Sequence, residues 1–291
     1  MVANSKFRNR NGGRPDLEGS GGRFRFCPLA KSHPIRDKRA MRKGHRPSKP
    51  PSNRPRFWGK HAVYAALDNP NRVSRKLWAT REAASAIVIP DGLTVAFADV
   101  ADLGRMVPND APHQGLVLEV DPLEDVWLDD LLADGANDTR PILVLDQVTD
   151  PHNVGAILRS AAAFDALGIV TQDRHAPPEG GALAKAASGA LEIVPWVRVV
   201  NLARALDAIG EAGYWRIGLT GHADRLLGDA IGMVKVALVL GAEGEGMRQN
   251  TEAHCDELAK LPISPKAESL NVSNAAAIAL YAAATGRGGE E

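Results

Sequence analysis

Cysteine is almost absent from this chain. Two residues, Cys27 and Cys255, are all that 291 positions contain. They can build neither a disulfide framework nor a Cys-rich zinc site, and so few thiols fit a reducing, cytoplasmic compartment. Aromatics are scarce as well, with 5 Trp, 3 Tyr and 6 Phe, so the core must be mostly aliphatic and alanine-rich. No apolar run approaches the roughly 18 residues needed to span a bilayer, and no membrane partner is expected. The charged N-terminus lacks the apolar stretch of a secretory signal, and none is expected. Neither His-Glu-x-x-His nor a paired Cys-x-x-Cys occurs, so no metal is expected.

Net charge is absent too, but only in the sum. Lys and Arg number 35 and Asp and Glu also 35. Residues 1–56 hold 16 of the basic residues against Asp16, Glu18 and Asp37, a net of +13, which leaves −13 on the rest. A basic arm of this kind suits a polyanion. It has Gly12-Gly13, Gly21-Gly22, prolines from Pro15 to Pro51 and few aliphatics. Such a segment buries too little surface to offset its ordering entropy and reads as disordered. It is either a solubilising tail or an arm that neutralises RNA phosphates.

What the rest contains is α/β alternation. At roughly 150 residues per domain the length suggests about two domains. Order is expected to begin at Phe57-Trp58-Gly59. Helical spacing over His61–Leu67, Arg81–Ala86 and Val100–Met106 alternates with strand-like Lys76–Ala79, Thr94–Phe97 and Gly115–Val120. This predicts a small separate domain. The acidic stretch Asp121–Asp138 contains the expected linker. A second alternation follows. Strands are predicted at Ile142–Leu145, Gly168–Thr171, Ile193–Val200, Trp215–Leu219, Lys235–Leu240 and Leu258–Ile263. Helices are predicted at Val154–Ala166, Leu183–Ala187, Leu202–Ala212, Met247–Cys255 and Val272–Ala284. Strands separated by helices indicate a mostly parallel sheet covered on both faces.

Polar residues collect in three loops, each just past the carboxyl end of a predicted strand, where such sheets bind ligands. The first runs from Asp146 through Asp150-Pro-His-Asn153 to Arg159. Asn153 or a near neighbour caps the following helix. Arg159 stands alone among alanines, where a solvated face normally carries several charges, and its planar fork suits a phosphate. The second loop, Gly241-Ala-Glu-Gly-Glu-Gly246, lets backbone approach a ligand closely or makes a tight turn. Its order is neither the dinucleotide fingerprint nor a P-loop. Glu243 and Glu245, held between glycines, are poor packing residues. In the third loop Ser269, Asn271 and Ser273 are three cap-type residues where a helix needs one. Cys255, beside Asp256 and Glu257, has no activating cation nearby in sequence.

Taken together, Leu143-Val-Leu-Asp146, Asp150-Pro-His-Asn-Val-Gly155 with Leu158-Arg-Ser-Ala161, Leu240-Gly-Ala-Glu-Gly-Glu-Gly-Met247 and Ser269-Leu-Asn-Val-Ser273 resemble the three motifs of the SpoU (TrmH-like) RNA ribose 2'-O-methyltransferases. The likeness spans Pro141 to Ala284. Within that class the chain is most similar to the bacterial enzymes that methylate guanosine in 23S ribosomal RNA. Trp58-Gly-Lys-His-Ala-Val63 and His113-Gln-Gly-Leu-Val117 resemble that subgroup's small RNA-binding domain, itself similar to ribosomal protein L30e. The resemblance implies a SPOUT-type α/β fold with a trefoil-knotted parallel sheet over 141–291. Ahead of it would lie an L30e-like RNA-binding domain over 57–126, a linker over 127–140 and the basic tail over 1–56.

The implied cofactor is S-adenosylmethionine, with cofactor-binding positions at Gly241, Leu261 and Leu270. The implied catalytic positions are Asn153, Arg159, Glu243, Ser269 and Asn271. A homodimer acting on ribosomal RNA is implied, with no metal. A transfer-RNA ribose methyltransferase and an inactive RNA-binding assembly factor are the competing readings. Between Pro262 and Ser269 the family usually has small residues, whereas Ser264-Pro-Lys-Ala-Glu268 is charged. Arg is rarely neutral, so electrostatic help from Arg159 is expected rather than free-base catalysis.

Overall fold

A computed structural model of the chain describes residues 54–232 and 235–287. The expectation of a disordered basic tail therefore falls, except for residues 54–56, outside the described residues. Those three are ordered. Arg54 Nε lies 2.7 Å from Asp121 Oδ1, and Arg56 opens the first strand. All described residues belong to one unit, 48–291.

The chain first builds a four-stranded sheet. It runs β1 (Arg56–Trp58), α1 (Lys60–Asp68), β2 (Ser74–Ala79), α2 (Arg81–Ser85), β3 (Thr94–Phe97), α3 (Val100–Gly104) and β4 (Leu116–Val120). The order across the sheet is β1-β4-β2-β3, with β2 parallel to β3 and the other pairs antiparallel. The stretch expected as linker is not structureless, because α4 (Leu128–Asp134) forms within it. Leu128, Leu131 and Leu132 recur at helical spacing, and Leu131 is buried beneath the second sheet. The surrounding acids mask that short stripe in the sequence.

The second sheet has seven strands. Its elements are β5 (Ile142–Leu145), α5 (Pro151–Ala163), β6 (Gly168–Gln172), α6 (Gly181–Ala187), β7 (Trp196–Val199), α7 (Leu202–Glu211), β8 (Trp215–Leu219), β9 (Arg225–Leu226), α8 (Leu227–Ala230), β10 (Val236–Leu240), α9 (Gln249–Glu252), β11 (Glu257–Lys260) and α10 (Val272–Arg287). The order is β7-β6-β5-β10-β8-β11-β9, and every pairing is parallel. Strand alternation sends Leu143, Leu145, Leu238 and Leu240 to one face, against α5, α6 and α10. Ile142, Val144, Ala237 and Val239 go to the other, against α4 and α7. On α7 the positions 202, 205, 206 and 209 are all buried, the stripe its spacing predicts. The helix expected over Met247–Cys255 shrinks to the single turn of α9. The strand expected over Ile193–Val200 follows a one-turn 3-10 helix at Ala190–Glu192 and forms only over Trp196–Val199.

The small sheet is separate, but its core is not. Phe57, Leu77 and Leu118 belong to one apolar cluster with Leu183, Ala187 and Leu143 of the larger sheet's layer. At the seam the ring of Trp58 rests on Gly181, where a Cβ would lie 1.8 Å from the indole. A buried ion cluster fixes the seam. The Arg72 side chain is fully buried, with Nη2 at 2.5 Å from Glu179 and 2.8 Å from Glu192. Asn69 Nδ2 donates to Glu192 Oε2 at 2.7 Å. Burial pulls the Arg72 pKa down, but its hydrogen bonds to Glu192 and Glu179 outweigh it and the net shift is upward.

Removing one partner of such a cluster leaves uncompensated buried charge, at a cost of about 3–5 kcal/mol. For a domain of this size that is a fall of roughly 6–20 °C in melting temperature. Arg72→Met should show that fall in calorimetry, and adding Glu192→Gln should recover part of it. A melting temperature unchanged within a degree or two would mean the cluster does not fix the seam.

Candidate active site at the carboxyl edge of the large sheet

Because β5 and β10 pair in parallel with Leu145 opposite Leu240, the loops that follow them leave the sheet side by side. The ladder continues one step further, with Asp146 N donating to Leu240 O at 2.8 Å. Pro151 then sits in the first turn of α5, a position that tolerates its missing N–H. Asp150 is the cap, accepting from His152 N at 3.0 Å. The helix thus starts three residues earlier than its apolar periodicity predicts. Asn153 is not the cap, and its amide is free for other work.

The second loop folds back on itself as a hairpin. Ala242 N donates to Gly246 O at 3.1 Å and Gly246 N to Ala242 O at 3.0 Å. Gly241 sits so close beneath that a Cβ there would lie 2.0 Å from the Gly246 carbonyl carbon. No other residue fits that position without opening the hairpin. Glu243 projects from it toward α5 and α10. Asn153 Nδ2 donates to Glu243 Oε1 at 3.0 Å, and Val272 N donates to the same oxygen at 3.3 Å. Asn271 Nδ2 donates both to that oxygen and to Asn153 Oδ1, the latter at 2.9 Å. Asn271 also caps α10, its Oδ1 accepting from Ser273 N at 2.9 Å. One residue from each loop meets at a single carboxylate oxygen, while Glu243 Oε2 has no partner among the described residues.

The remaining expected residues do not join this junction. Arg159 is exposed on α5, with no ion pair or hydrogen bond among the described residues. Ser269 is exposed on the approach to α10. Leu261 and Leu270, half-buried, bracket the third loop, and Leu261 packs on the core. Glu245 is exposed and takes no part. The edge thus carries close-packed glycine backbone and two half-buried leucines. No group of three or more His, Cys, Asp or Glu is placed to hold a metal ion among the described residues.

One group went unread in the sequence. The Asp146 carboxylate is completely buried and is held by Arg248 and, through it, by Gln172. An acid abutting the apolar run Ile142–Leu145 was the available signal, since a carboxylate there must find a cation.

Residues 140–281 match the SpoU rRNA Methylase family, and residues 57–126 match a family described as RNA 2'-O ribose methyltransferase substrate binding. The 23S rRNA (guanosine-2'-O-)-methyltransferase RlmB of Vibrio parahaemolyticus is 37% identical over 236 residues, covering 78% of this chain and 95% of that one. This chain belongs to the SpoU family. A Synechocystis protein named as an uncharacterized tRNA/rRNA methyltransferase is 39% identical over 234 residues, 77% of this chain and 61% of its own length. A TrmH-family RNA methyltransferase of Porphyromonas gingivalis superposes with a TM-score of 0.64 at 26% identity, covering 78% of this chain and 88% of that one. The SpoU methyltransferase AviRb of Streptomyces viridochromogenes, solved with AdoMet, reaches 0.68 at 23% identity, over 80% and 90% of the two chains. The fold is therefore the SPOUT-type α/β fold that the motifs led us to expect, with its parallel sheet.

Cys255 stands apart from this SpoU site. Burial pushes its thiol up to about 12 against a partial offset from Arg216. At pH 8 the folded thiolate fraction is then only about one in ten thousand. In a Cys27→Ser background, iodoacetamide at pH 8 should leave the native protein intact and label it in denaturant. Because the folded thiol holds its proton more tightly than the unfolded one, this group's stabilisation is full below about pH 9. It declines as pH rises toward 12. Rapid labelling of the native protein would contradict the buried thiol.

Proposed function

We propose that this chain transfers a methyl group from S-adenosylmethionine to the 2'-hydroxyl of a ribose, that of a guanosine in 23S ribosomal RNA. The observation that carries the reading is the meeting of Asn153, Glu243 and Asn271 on one oxygen, with a partnerless Arg159 on the same helix as Asn153. The names of the SpoU relatives, which include guanosine-2'-O-methyltransferases of 23S rRNA, support the substrate. Bound here, S-adenosylmethionine would supply a sulfonium-bound methyl group, the carbon–sulfur bond breaking as the ribose oxygen–carbon bond forms and the hydroxyl proton passing to solvent. Gly241, Leu261 and Leu270 would hold the cofactor at the carboxyl edge.

What the chain's own residues must do is place the ribose and ease loss of a proton from a very weak acid. Asn153, Asn271 and Ser269 present amide and hydroxyl groups to the ribose. Glu243 keeps the two amides oriented and leaves its second oxygen open. Arg159 would grip the substrate phosphate with its fork and, as a fixed positive charge, favour the developing alkoxide. In-line placement supplies much of the remaining rate.

The surroundings agree with an RNA partner. The small sheet would bear on the RNA, and the +13 segment over 1–56 would neutralise phosphates that the −13 remainder repels. A second copy of the chain would cover the exposed Ile278 and Tyr281 of α10, where the Tyr281 ring meets Phe164 edge-on at 6.1 Å. No helix among the described residues is long and apolar enough to cross a membrane, and a cytoplasmic location follows from a ribosomal substrate.

Single-turnover methyl transfer at saturating RNA and cofactor tests the site. Arg159→Ala should slow the step by about 10²–10³ while melting temperature and cofactor affinity hold. Arg159→Lys should rescue little, because one ammonium does not reproduce a planar fork. Near-normal turnover in a stable Arg159→Ala protein would remove Arg159 from the mechanism. Deleting residues 1–53 should weaken RNA binding and flatten its dependence on salt. An unchanged salt slope would show that the segment does not touch RNA.

A further inference from the structure

The carboxyl edge carries a second polar network, behind the junction of the three loops. Asp146 ends β5 inside the protein, its side chain wholly removed from solvent. A carboxylate in that position needs a charged, hydrogen-bonding partner. Arg248, two residues beyond the hairpin's closing Gly246, supplies it three times over. Its backbone N donates to Asp146 Oδ2 at 3.0 Å, its Nε to Oδ1 at 2.9 Å, and its Nη2 lies 2.6 Å from Oδ1. The same Nη2 donates to Gln172 Oε1 at 3.0 Å, and Gln172 Nε2 donates to Val200 O at 3.2 Å. These contacts follow the strand order β10, β5, β6, β7. One guanidinium therefore braces the carboxyl ends of neighbouring strands.

We infer that Arg248 is a positioning residue for the transfer reaction, fixing the root of the Gly241–Gly246 hairpin to β5 and β6 so that Glu243 meets Asn153 and Asn271. The inference rests on the reading of this edge as a methyl-transfer site. The near leg of the hairpin is held by β10 itself. The far leg has the Ala242–Gly246 pair and then nothing regular until Gln249. Without the Arg248 guanidinium, the far leg would keep the buried Met247 side chain and the backbone N–H on Asp146 Oδ2, but would lose its tie to β6, and Glu243 would be held less firmly against Asn153 and Asn271. A lysine at 248 reaches Asp146 or Gln172 with one ammonium but does not reproduce the fork that holds both. In-line chemistry is sensitive to such a change, since a displacement of about 1 Å can cost about 10²-fold in rate.

Three variants of the full chain test this: Arg248→Lys, Arg248→Gln, and Arg248→Gln combined with Asp146→Asn. The last replaces the buried charge pair by neutral partners. Single-turnover rate, half-saturating RNA concentration, melting temperature and hydrogen exchange at the Ala242 and Gly246 amides are measured on each. Arg248→Lys should stay folded, lose about tenfold to a hundredfold in rate with RNA half-saturation unchanged, and exchange both amides faster than wild type. The double variant should regain melting temperature relative to Arg248→Gln without regaining rate. Two results would overturn the assignment: a near-wild-type rate in Arg248→Lys, or a rate that returns together with stability in the double variant. Hydrogen exchange separates this from the functional reading. If wild-type protein transfers no methyl group to RNA, that reading fails, while the brace still stands or falls on the exchange of the two amides.

Discussion

The whole carboxyl edge depends on β10 lying between β5 and β8. A strand reached nearly a hundred residues after β5 is inserted beside it, in parallel and in register, with Leu145 opposite Leu240. Both strands are apolar on both faces, so burial on two sides favours this central placement. Each fully buried Leu, Ile or Val contributes about 1.5–3 kcal/mol. Polarity begins only where the strands stop. Asp146 and Gly241 are the first residues outside the apolar layer, and everything chemical in the molecule is built from there.

That placement explains why so few charges suffice at the site. One carboxylate oxygen of Glu243 gathers two side-chain amides and a backbone N–H. Each amide has a second duty: Asn271 caps α10 while Asn153 accepts from Asn271. The geometry is fixed by hydrogen bonds that the helices and hairpin already require. Arg159 is left without a side-chain partner among the described residues, as a group that waits for an external anion would be. The contrast with Arg72 is direct. There a guanidinium is buried, satisfied by two carboxylates and committed to holding the small sheet against α6.

Much of this was legible in the residues. Short apolar runs bounded by polar loops gave six of the seven strands of the larger sheet, and the two-residue edge strand β9 is too short and too exposed to leave such a run. The 202, 205, 206, 209 stripe gave α7, and three cap-rich or glycine-rich loops gave the side chains that meet at Glu243. The order of the strands was not legible, because periodicity says which face a residue buries and nothing about which strand lies alongside. Nor was the start of α5. Asp150 and Asn153 are both good caps, and only Pro151 in the first turn decides between them. The helix α4 was hidden because its leucines are embedded in acids. The helix expected at Met247–Cys255 fails at its start because Arg248 is extended, its N–H and guanidinium both turned to Asp146. A long-range ion pair overrides local propensity there, and no local pattern announces it.

The most direct measurement is of the methyl group in its natural acceptor. Ribosomal and transfer RNA from cells with and without the gene are digested to nucleosides and compared by mass spectrometry, and any missing mark is mapped in the RNA chain. The expected result is the loss of one 2'-O-methylguanosine from 23S ribosomal RNA, restored by the wild-type gene and not by one carrying Arg159→Ala. Ribosomal RNA with all its ribose methyl groups intact, and a mark missing instead from transfer RNA or from none, would contradict it.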